Sequence, residues 1–313
     1  MKTADYAALL LLGAIWGLSY VFIRVASPVL GPALLMGLRV VIASGTTLAY
    51  IAGQGQWKTA LPSFRTRGWQ YLVMGLLNCA IPFTFIAISE LVINASYAAI
   101  LNATTPVFSA LAAAAWFQRP LTGRVGVGIL IGIAGVTIAV GAAPFALTPL
   151  VMGAIGLSLC ASFSYALAAI YAHRHTSDVA PVTASLGQTL GGALILAPFA
   201  AWEAPGAHWT VPATVSLLGL ALGSTFLAYL LYFRILRNSG PTETLTVTFL
   251  SPIFGVLWGH ALLGEPVGVG TVVGLVVVLG GIALVTGFRP SVLRRATSAG
   301  AAPSADPPVD RKA

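Results

Sequence analysis

The chain contains an internal repeat, in which two stretches of sequence align without gaps at a spacing of 146 residues. The matched positions include prolines, a phenylalanine pair and glycines: Pro106 and Pro252, Phe108 and Phe254, Pro120 and Pro266, Gly128 and Gly274, Gly135 and Gly281, Gly141 and Gly287. Each copy is an apolar segment with an early proline, a short break and a glycine-rich apolar segment. Such a repeat predicts two related halves, at 1–145 and 146–288, followed by a Pro-, Ala- and Ser-rich tail at 289–313 that is predicted to be disordered.

The scarcity of charged residues excludes an ordinary soluble domain. Of 313 residues, 58% are hydrophobic and only 8% are charged, whereas soluble domains are about a quarter charged. Apolar runs of about 20 residues alternate with short polar breaks, which is typical of membrane-spanning helices. We therefore predict an all-α polytopic membrane protein with ten transmembrane helices in two inverted five-helix repeats. The predicted spans are 6–26, 31–53, 67–89, 93–117, 122–141, 149–172, 180–202, 211–235, 240–263 and 268–287.

The positions of the basic residues predict the orientation of these spans. With the N-terminus inside, fourteen of the sixteen Lys and Arg residues fall on the cytoplasmic side, as the positive-inside rule requires. The chain has a net charge of +8, but most of its basic residues lie in the breaks between spans. Nucleic acid is therefore not a predicted partner. Five spans per half place the break at Arg119 inside and its repeat partner at Glu265 outside. Inverted repeats are typical of secondary transporters, in which a central site opens alternately to each side.

Several short motifs carry a family resemblance. They are Trp16-Gly17 in the first span, Gly37-Leu38-Arg39 in the second, and Pro252-Ile253-Phe254 and Gly264-Glu265-Pro266 in the second repeat copy. Together with the duplicated proline segments, they resemble the drug/metabolite transporter superfamily, and specifically its ten-span EamA-type exporters. The first copy departs from the family pattern, with Gln118-Arg119 where Gly-Glu is usual. The resemblance covers residues 6–287 and implies a secondary exporter, but not its substrate, because relatives carry amino acids, nucleotide-like metabolites, sugars and toxic cations.

Arg39 is the sharpest candidate for a functional residue, because it lies near the middle of the second predicted span. A central arginine costs roughly 2.5 to 3.5 kcal/mol to insert, so we expect it to face a cavity or a partner. As a site residue it would bind a substrate carboxylate through charge-assisted hydrogen bonds. As a structural residue it would bind helix-end carbonyls or extend to the interface. Gln188 occupies the comparable place in the seventh span.

Other polar and aromatic residues within the spans are predicted to line the same cavity. Polar groups are costly at membrane depth, so they are expected to face the protein interior or a cavity. Asn78 and Ser224 are partners in the repeat, and the residues beside Pro106 and Pro252 lie where a proline frees a backbone carbonyl. For each residue, packing or interhelical hydrogen bonding is the alternative. The predicted cavity set is Trp16, Ser19, Tyr20, Arg39, Asn78, Tyr97, Asn102, Ser162, Tyr165, Gln188, Ser224 and Thr246.

Acidic residues within the predicted spans are almost absent. Glu243, three residues after Gly240, is the one acid that falls inside a predicted span, and it is the candidate for proton coupling. The alternative is that it places negative charge in the first turn of a helix, where such charge is favoured. Glu90, Glu203 and Glu265 are interpreted as loop or cap residues.

The chain has no Walker-type phosphate loop, no HExxH and no Cys/His cluster. We therefore predict no cofactor, no metal and no enzymatic activity, with energy supplied by gradients. The predicted function is export of small metabolites across the inner membrane, with amino acids or related amphipathic solutes leading. A drug or toxic-cation efflux carrier, which would hold a membrane-embedded carboxylate, and an intramembrane lipid-modifying enzyme are the alternatives. A homodimer through the glycine-rich helices is also open.

Overall fold

The fold is all-α, which confirms the predicted class. The computed structural model describes residues 3–118, 120–143 and 146–287, and over these ranges it contains no β-strand. Nine helices in the described ranges are long and apolar enough to cross a membrane, and a tenth apolar helix has 17 residues. The ten helices are α1 Thr3–Leu30, α2 Pro32–Gly53, α3 Ala60–Ser89, α4 Ala95–Phe117, α5 Gly123–Gly141, α6 Pro149–His175, α7 Pro181–Glu203, α8 Val211–Ser239, α9 Val247–Leu263 and α10 Val269–Thr286. Arg119 and the predicted tail lie outside the described residues.

The start of α3 differs from the prediction, which placed a loop before residue 67. The chain is already helical from Trp57, and the helix is kinked at Arg67 (φ −125°, ψ 22°). This early segment is helical because its apolar face is buried: Ala60, with Phe64 beside it, packs against Ile51 and Leu186. Tertiary packing therefore stabilises a helix that the local polarity did not predict.

The two helices that carry the repeated proline, α4 and α9, have different backbones. In α4, the chain is helical over Ala95–Asn102 and again over Thr105–Phe117, with Pro106 in the first turn of the second segment. Proline is well tolerated there because the first turn needs no intrahelical N–H donor. In the second copy, Pro252 lies inside α9. The repeat copies are thus related in sequence but not identical in structure at this point.

A π-helical stretch interrupts both α3 and α8 at equivalent places in the repeat. The first is Leu76–Ala80 and the second is Gly219–Leu227. Shifted by 146 residues, the first stretch falls at 222–226, inside the second. A π turn inserts one residue per turn and rotates the side chains that follow, and such turns are frequent at functional sites. Both repeat partners Asn78 and Ser224 lie in these stretches.

Contacts between the two halves follow a two-fold pattern. Equivalent helices meet each other, since α5 packs on α10 and α2 packs on α7. The other contacts come in related pairs: α1 packs on α9 as α6 packs on α4, and α3 packs on α7 as α8 packs on α2. Exchanging the halves reproduces this set. The helices are therefore arranged as two related five-helix units around a pseudo-two-fold axis.

Glycines bring α5 and α10 into backbone contact within one chain. A Cβ atom at Gly135 would lie 2.5 Å from the backbone nitrogen of Val278, and one at Gly281 would lie 2.6 Å from that of Gly132. Small residues permit such close approach between membrane helices. A homodimer through these same glycines would require α5 and α10 to separate.

Replacing Gly75 with alanine is expected to destabilise the fold. A Cβ atom there would lie less than 3.0 Å from the backbone nitrogen of Gly192 and from the carbonyl carbon of Gly191, so α3 and α7 would have to move apart. Overpacking of this kind costs about 1–3 kcal/mol, which thermal unfolding in detergent would detect. Gly45→Ala is the matched control, because a Cβ atom added there would have nothing within 4 Å and alanine is the better helix former. Equal losses in both variants would contradict the prediction.

Candidate functional site

Arg39 lies between the two halves of the protein and is buried, with 5% of its surface exposed. Its Nε donates a hydrogen bond to Thr225 Oγ1 on α8 (2.8 Å), and its guanidinium carbon lies 3.9 Å from the centroid of the Phe83 ring. Both partners are neutral. Within the described part of the chain, no acidic side chain lies within ion-pair distance of Arg39. The site therefore holds a buried positive charge without a counter-charge, an arrangement that costs several kcal/mol.

A first hydrogen-bonded cluster lies near Arg39 and joins α1, α4 and α6. Asn102 Nδ2 donates to the hydroxyl oxygen of Tyr20 (2.7 Å), and Ser162 Oγ lies 3.3 Å from Asn102 Oδ1, to which it can donate. Tyr20 lies within electrostatic range of Arg39. Three of the predicted cavity residues are therefore joined directly, although they come from both halves.

A second cluster joins α3, α7 and α8. Asn78 Nδ2 donates to Gln188 Oε1 (2.8 Å) and approaches the hydroxyl oxygen of Tyr229 (3.3 Å). Tyr229 also lies within electrostatic range of Arg39. Gln188 bonds to Asn78, and its relation to Arg39 stays a prediction.

Tyr165 completes the surroundings of Arg39. Its ring packs on Phe83 with the centroids 6.4 Å apart, and the residue lies within electrostatic range of Arg39. Arg39 is therefore bordered by the Phe83–Tyr165 ring pair as well as by the hydroxyl group of Thr225.

The other five predicted cavity residues have their contacts elsewhere. Ser19 Oγ donates a hydrogen bond to the main-chain oxygen of Trp16 (2.5 Å), and Ser224 Oγ donates to that of Ile15 (3.1 Å). The Trp16 ring packs on Tyr232 with the centroids 5.9 Å apart, and the Tyr97 hydroxyl bonds to Thr271 Oγ1 on α10 (3.0 Å). Thr246 precedes the first residue of α9. A role for these five residues in a cavity stays a prediction.

Thr225, Phe83 and Tyr229 surround Arg39 but were not among the predicted cavity residues. Thr225 is the repeat partner of Cys79 and follows Ser224 inside a predicted span. A polar side chain at membrane depth is a signal that could have identified Thr225. The side chain reaches Arg39 from within the π-helical stretch of α8, and an α-helical periodicity does not predict the orientation of a residue in such a stretch.

Glu243 is not among the residues around Arg39. It lies in the one-turn helix Pro241–Thr244, which connects α8 to α9, and it is half-buried. Its main-chain oxygen accepts a hydrogen bond from Thr246 N (3.1 Å). A role for Glu243 in proton coupling remains a prediction.

Glu203 and Glu265 form two carboxylate latches, each of which joins the second half of the protein to a helix of the first half. The latches lie at the end of the bundle where α2 and α4 begin. The hydrogen bonds run from Ala33 N (2.7 Å) and Leu34 N (2.9 Å) to Glu203, and from Ala95 N (2.8 Å), Ser96 N (2.9 Å) and Ser96 Oγ (2.5 Å) to Glu265. Negative charge is favoured at a helix N-terminus. The interpretation of both as cap residues is confirmed, and each caps a helix of the other half.

An ion pair joins the two halves at the opposite end of the bundle. Arg67 on α3 donates two hydrogen bonds to Asp178, which lies between α6 and α7 (2.9 and 2.6 Å). Hydrogen bonding by Arg67 lowers the pKa of Asp178 below its ordinary value. The Asp178 side chain is 67% exposed, so solvent and salt screen this pair.

Both halves of the chain match a single known family. The EamA-like transporter family matches residues 5–141 and again residues 152–287. Similar proteins include the uncharacterized transporter YvbV of Bacillus subtilis (26% identical over 290 residues, covering 91% of this chain and 92% of the relative) and the uncharacterized inner membrane transporter YedA of Escherichia coli (28% over 262 residues, 83% of each chain). A probable amino-acid metabolite efflux pump of Salmonella typhimurium is 27% identical over 307 residues, covering 92% of this chain and 97% of the relative. One crystal structure shares the fold, with a TM-score of 0.65 at 17% identity, covering 95% of this chain and 99% of the other.

Proposed function

This chain belongs to the EamA-like transporter family, and from that premise we propose that it exports small carboxylate-bearing metabolites, with amino acids and related amphipathic solutes as the leading class. It is a multi-pass membrane protein, and its relatives are named as transporters. The absence of enzymatic activity is part of this proposal. The Salmonella relative carries the name of a probable amino-acid metabolite efflux pump, which supports the substrate class.

The observation that carries the proposal is the missing counter-charge at Arg39. A buried cation is retained at a cost in stability unless an anion joins it. A substrate carboxylate would supply that anion and would accept the two-pronged hydrogen bonds that a guanidinium group offers. Phe83 and Tyr165, which pack on each other beside Arg39, would then hold the apolar part of the solute.

The transport mechanism that we propose is alternating access between two inverted repeats, 1–145 and 146–288. The two-fold pattern of helix contacts supports it, because units related in this way can exchange conformations across a central site. The distribution of basic residues supports cytoplasmic termini in an inner-membrane protein. In this orientation the carboxylate latches close the external end, and the Arg67–Asp178 pair closes the cytoplasmic end.

A carrier for drugs or toxic cations is the less favoured alternative. Such a substrate would meet the positive charge of Arg39, and Glu243 lies outside the cluster around it. The electrostatics of the site therefore favour an anionic or zwitterionic solute.

Transport by purified protein in proteoliposomes tests the proposal. We expect saturable exchange of labelled amino acids, and much weaker transport of the matched methyl esters, which lack the carboxylate for Arg39. Transport of a lipophilic cation without amino-acid transport would favour the efflux alternative. Failure to transport any amphipathic solute would contradict the proposed substrate class.

A further inference from the structure

Glu90 is an acidic residue that neither the prediction nor the proposed site explains. It lies between α3 and α4 and is fully buried, and neither oxygen of its carboxyl group has a hydrogen-bond partner within the described part of the chain. Its position at the C-terminal cap of α3 agrees with its interpretation as a loop or cap residue, but that position does not explain its burial. An ionised carboxylate in this environment would lose its hydration without compensation, which is strongly unfavourable. The closed protein thus favours the neutral, protonated form.

Two charged groups lie near Glu90, namely Arg24 and Glu265. Arg24 on α1 donates a hydrogen bond from Nη1 to the main-chain oxygen of Glu90, not to its carboxyl group. Glu265 contributes a negative charge, which Ala95 N and the Ser96 N–H and hydroxyl groups already hold in place. His260 on α9 contacts the main-chain oxygen of Glu265 through Nδ1 (2.9 Å).

These neighbours leave the carboxyl group of Glu90 without an ionic partner while the latches are closed. Burial, and then the negative charge of Glu265, raise the pKa of Glu90 well above its ordinary value, and Arg24 opposes the shift. A raised pKa means that the closed form gains stability when Glu90 is protonated, and loses it as the pH rises through the shifted value.

A surface cleft at this end of the bundle is lined in part by the two charged neighbours of Glu90. It has a volume of about 340 Å³ and is lined by Arg24, Asn94, Leu263, Gly264, Glu265 and Pro266. Two of these residues, Arg24 and Glu265, are also the charged neighbours of Glu90. A small movement at the Glu265 latch would therefore change both the access of water and the electrostatics at Glu90.

We propose that Glu90 is a proton-binding site that ties closure of the external end to external pH. When this end is closed, the carboxyl group is neutral. When it opens, water reaches the group, its O–H bond breaks, the proton passes to the external solution, and the guanidinium group of Arg24 turns to pair with the carboxylate. Closure reverses the step and takes up one proton. Acid outside therefore holds the external end closed and slows release of substrate.

Infrared spectroscopy of the substrate-free protein in liposomes tests the proton-binding step without reference to transport. We expect the C=O band of a neutral carboxylic acid at neutral pH, and loss of that band in Glu90→Gln. If the wild-type protein lacks the band, the proposal is overturned, whatever the variant does. This measurement stands even if the variant fails to fold.

The dependence of export on external pH tests the switch, and this part rests on the proposed function. In proteoliposomes that transport an amino acid, we expect export to slow as the external pH is lowered. Glu90→Gln, which mimics the neutral acid, should be slow at every pH, whereas Glu243→Gln should keep the wild-type dependence. A dependence that persists in Glu90→Gln and vanishes in Glu243→Gln would assign the proton to Glu243 instead. Absence of all transport contradicts the proposed substrate class and leaves the infrared result to decide the proton site.

Discussion

Replacing Arg39 with methionine is expected to abolish most carboxylate transport while leaving the protein equally stable or more stable. Methionine keeps an unbranched side chain but removes the charge that would bind the substrate. A charge-assisted hydrogen bond is worth about 1.5–3 kcal/mol, so the apparent affinity should fall about 10- to 100-fold. Stability should not fall, because a buried charge without a counter-charge is itself unfavourable, and Thr225 keeps its hydrogen bond to the carbonyl of Leu220 (2.8 Å).

The combination of the two measurements separates a binding role from a structural one. If Arg39 only held helices together, Arg39→Met would lower the unfolding temperature as well as transport. Arg39→Lys keeps the positive charge but loses the planar guanidinium group, which can donate two parallel hydrogen bonds to one carboxylate. Its affinity for the substrate should therefore lie between those of the wild type and Arg39→Met. Arg65→Ala is the control, because this arginine is exposed and is not among the residues around Arg39. Unchanged transport in Arg39→Met would contradict the role of Arg39 as the carboxylate anchor.

Replacing Glu265 with alanine is expected to cause a large loss of stability. The carboxylate accepts three hydrogen bonds from Ala95 and Ser96 and is 7% exposed. Its removal leaves those donors buried and unpaired and exposes the N-terminus of α4 to an environment without compensating charge. Breaking such an arrangement costs about 3 kcal/mol, which thermal unfolding in detergent would measure.

The matched comparison for this variant is Asp178→Asn at the other end of the bundle. Asp178 is also an acid that joins the two halves, but it is exposed, so its removal should shift the unfolding temperature much less. Glu265→Gln should fall between the two, because its amide oxygen still accepts hydrogen bonds from α4. Equal shifts for Glu265→Ala and Asp178→Asn would show that burial does not strengthen the latch.

Much of the fold was predictable because membrane helices are strongly constrained by hydrophobicity. The ten helices, the duplicated segments and the cap role of Glu203 and Glu265 all follow from apolar periodicity, a fixed spacing and the scarcity of acids. Arg39 was identifiable for a related reason, since a charge at membrane depth has few explanations. Its actual partners were not, because no local pattern predicts which helix a side chain meets.

The features that could not be predicted depend on tertiary packing. The π-helical stretches in α3 and α8 rotate Asn78 and Thr225 away from the positions that an α-helix would give them. The helical start of α3 depends on Ala60 packing against Leu186, which is distant in the sequence. Glu90 was interpreted as a loop or cap residue, and it is one, but no local pattern predicts that its carboxyl group is buried without a hydrogen-bond partner.

The Arg67–Asp178 pair and the Glu203 and Glu265 contacts lie at opposite ends of the bundle and differ in solvent exposure. This difference has a consequence for the carrier when no substrate is bound. The Arg67–Asp178 pair is exposed and screened by salt, whereas Glu265 is buried, Glu203 is half-buried, and both cap helices of the other half. Within the proposed transport cycle, separating the Arg67–Asp178 pair would cost less than separating the Glu265 contacts, which would favour the cytoplasm-facing state of the empty carrier. Opening toward the outside would then depend on a bound solute, which would limit conformational cycling of the carrier without substrate.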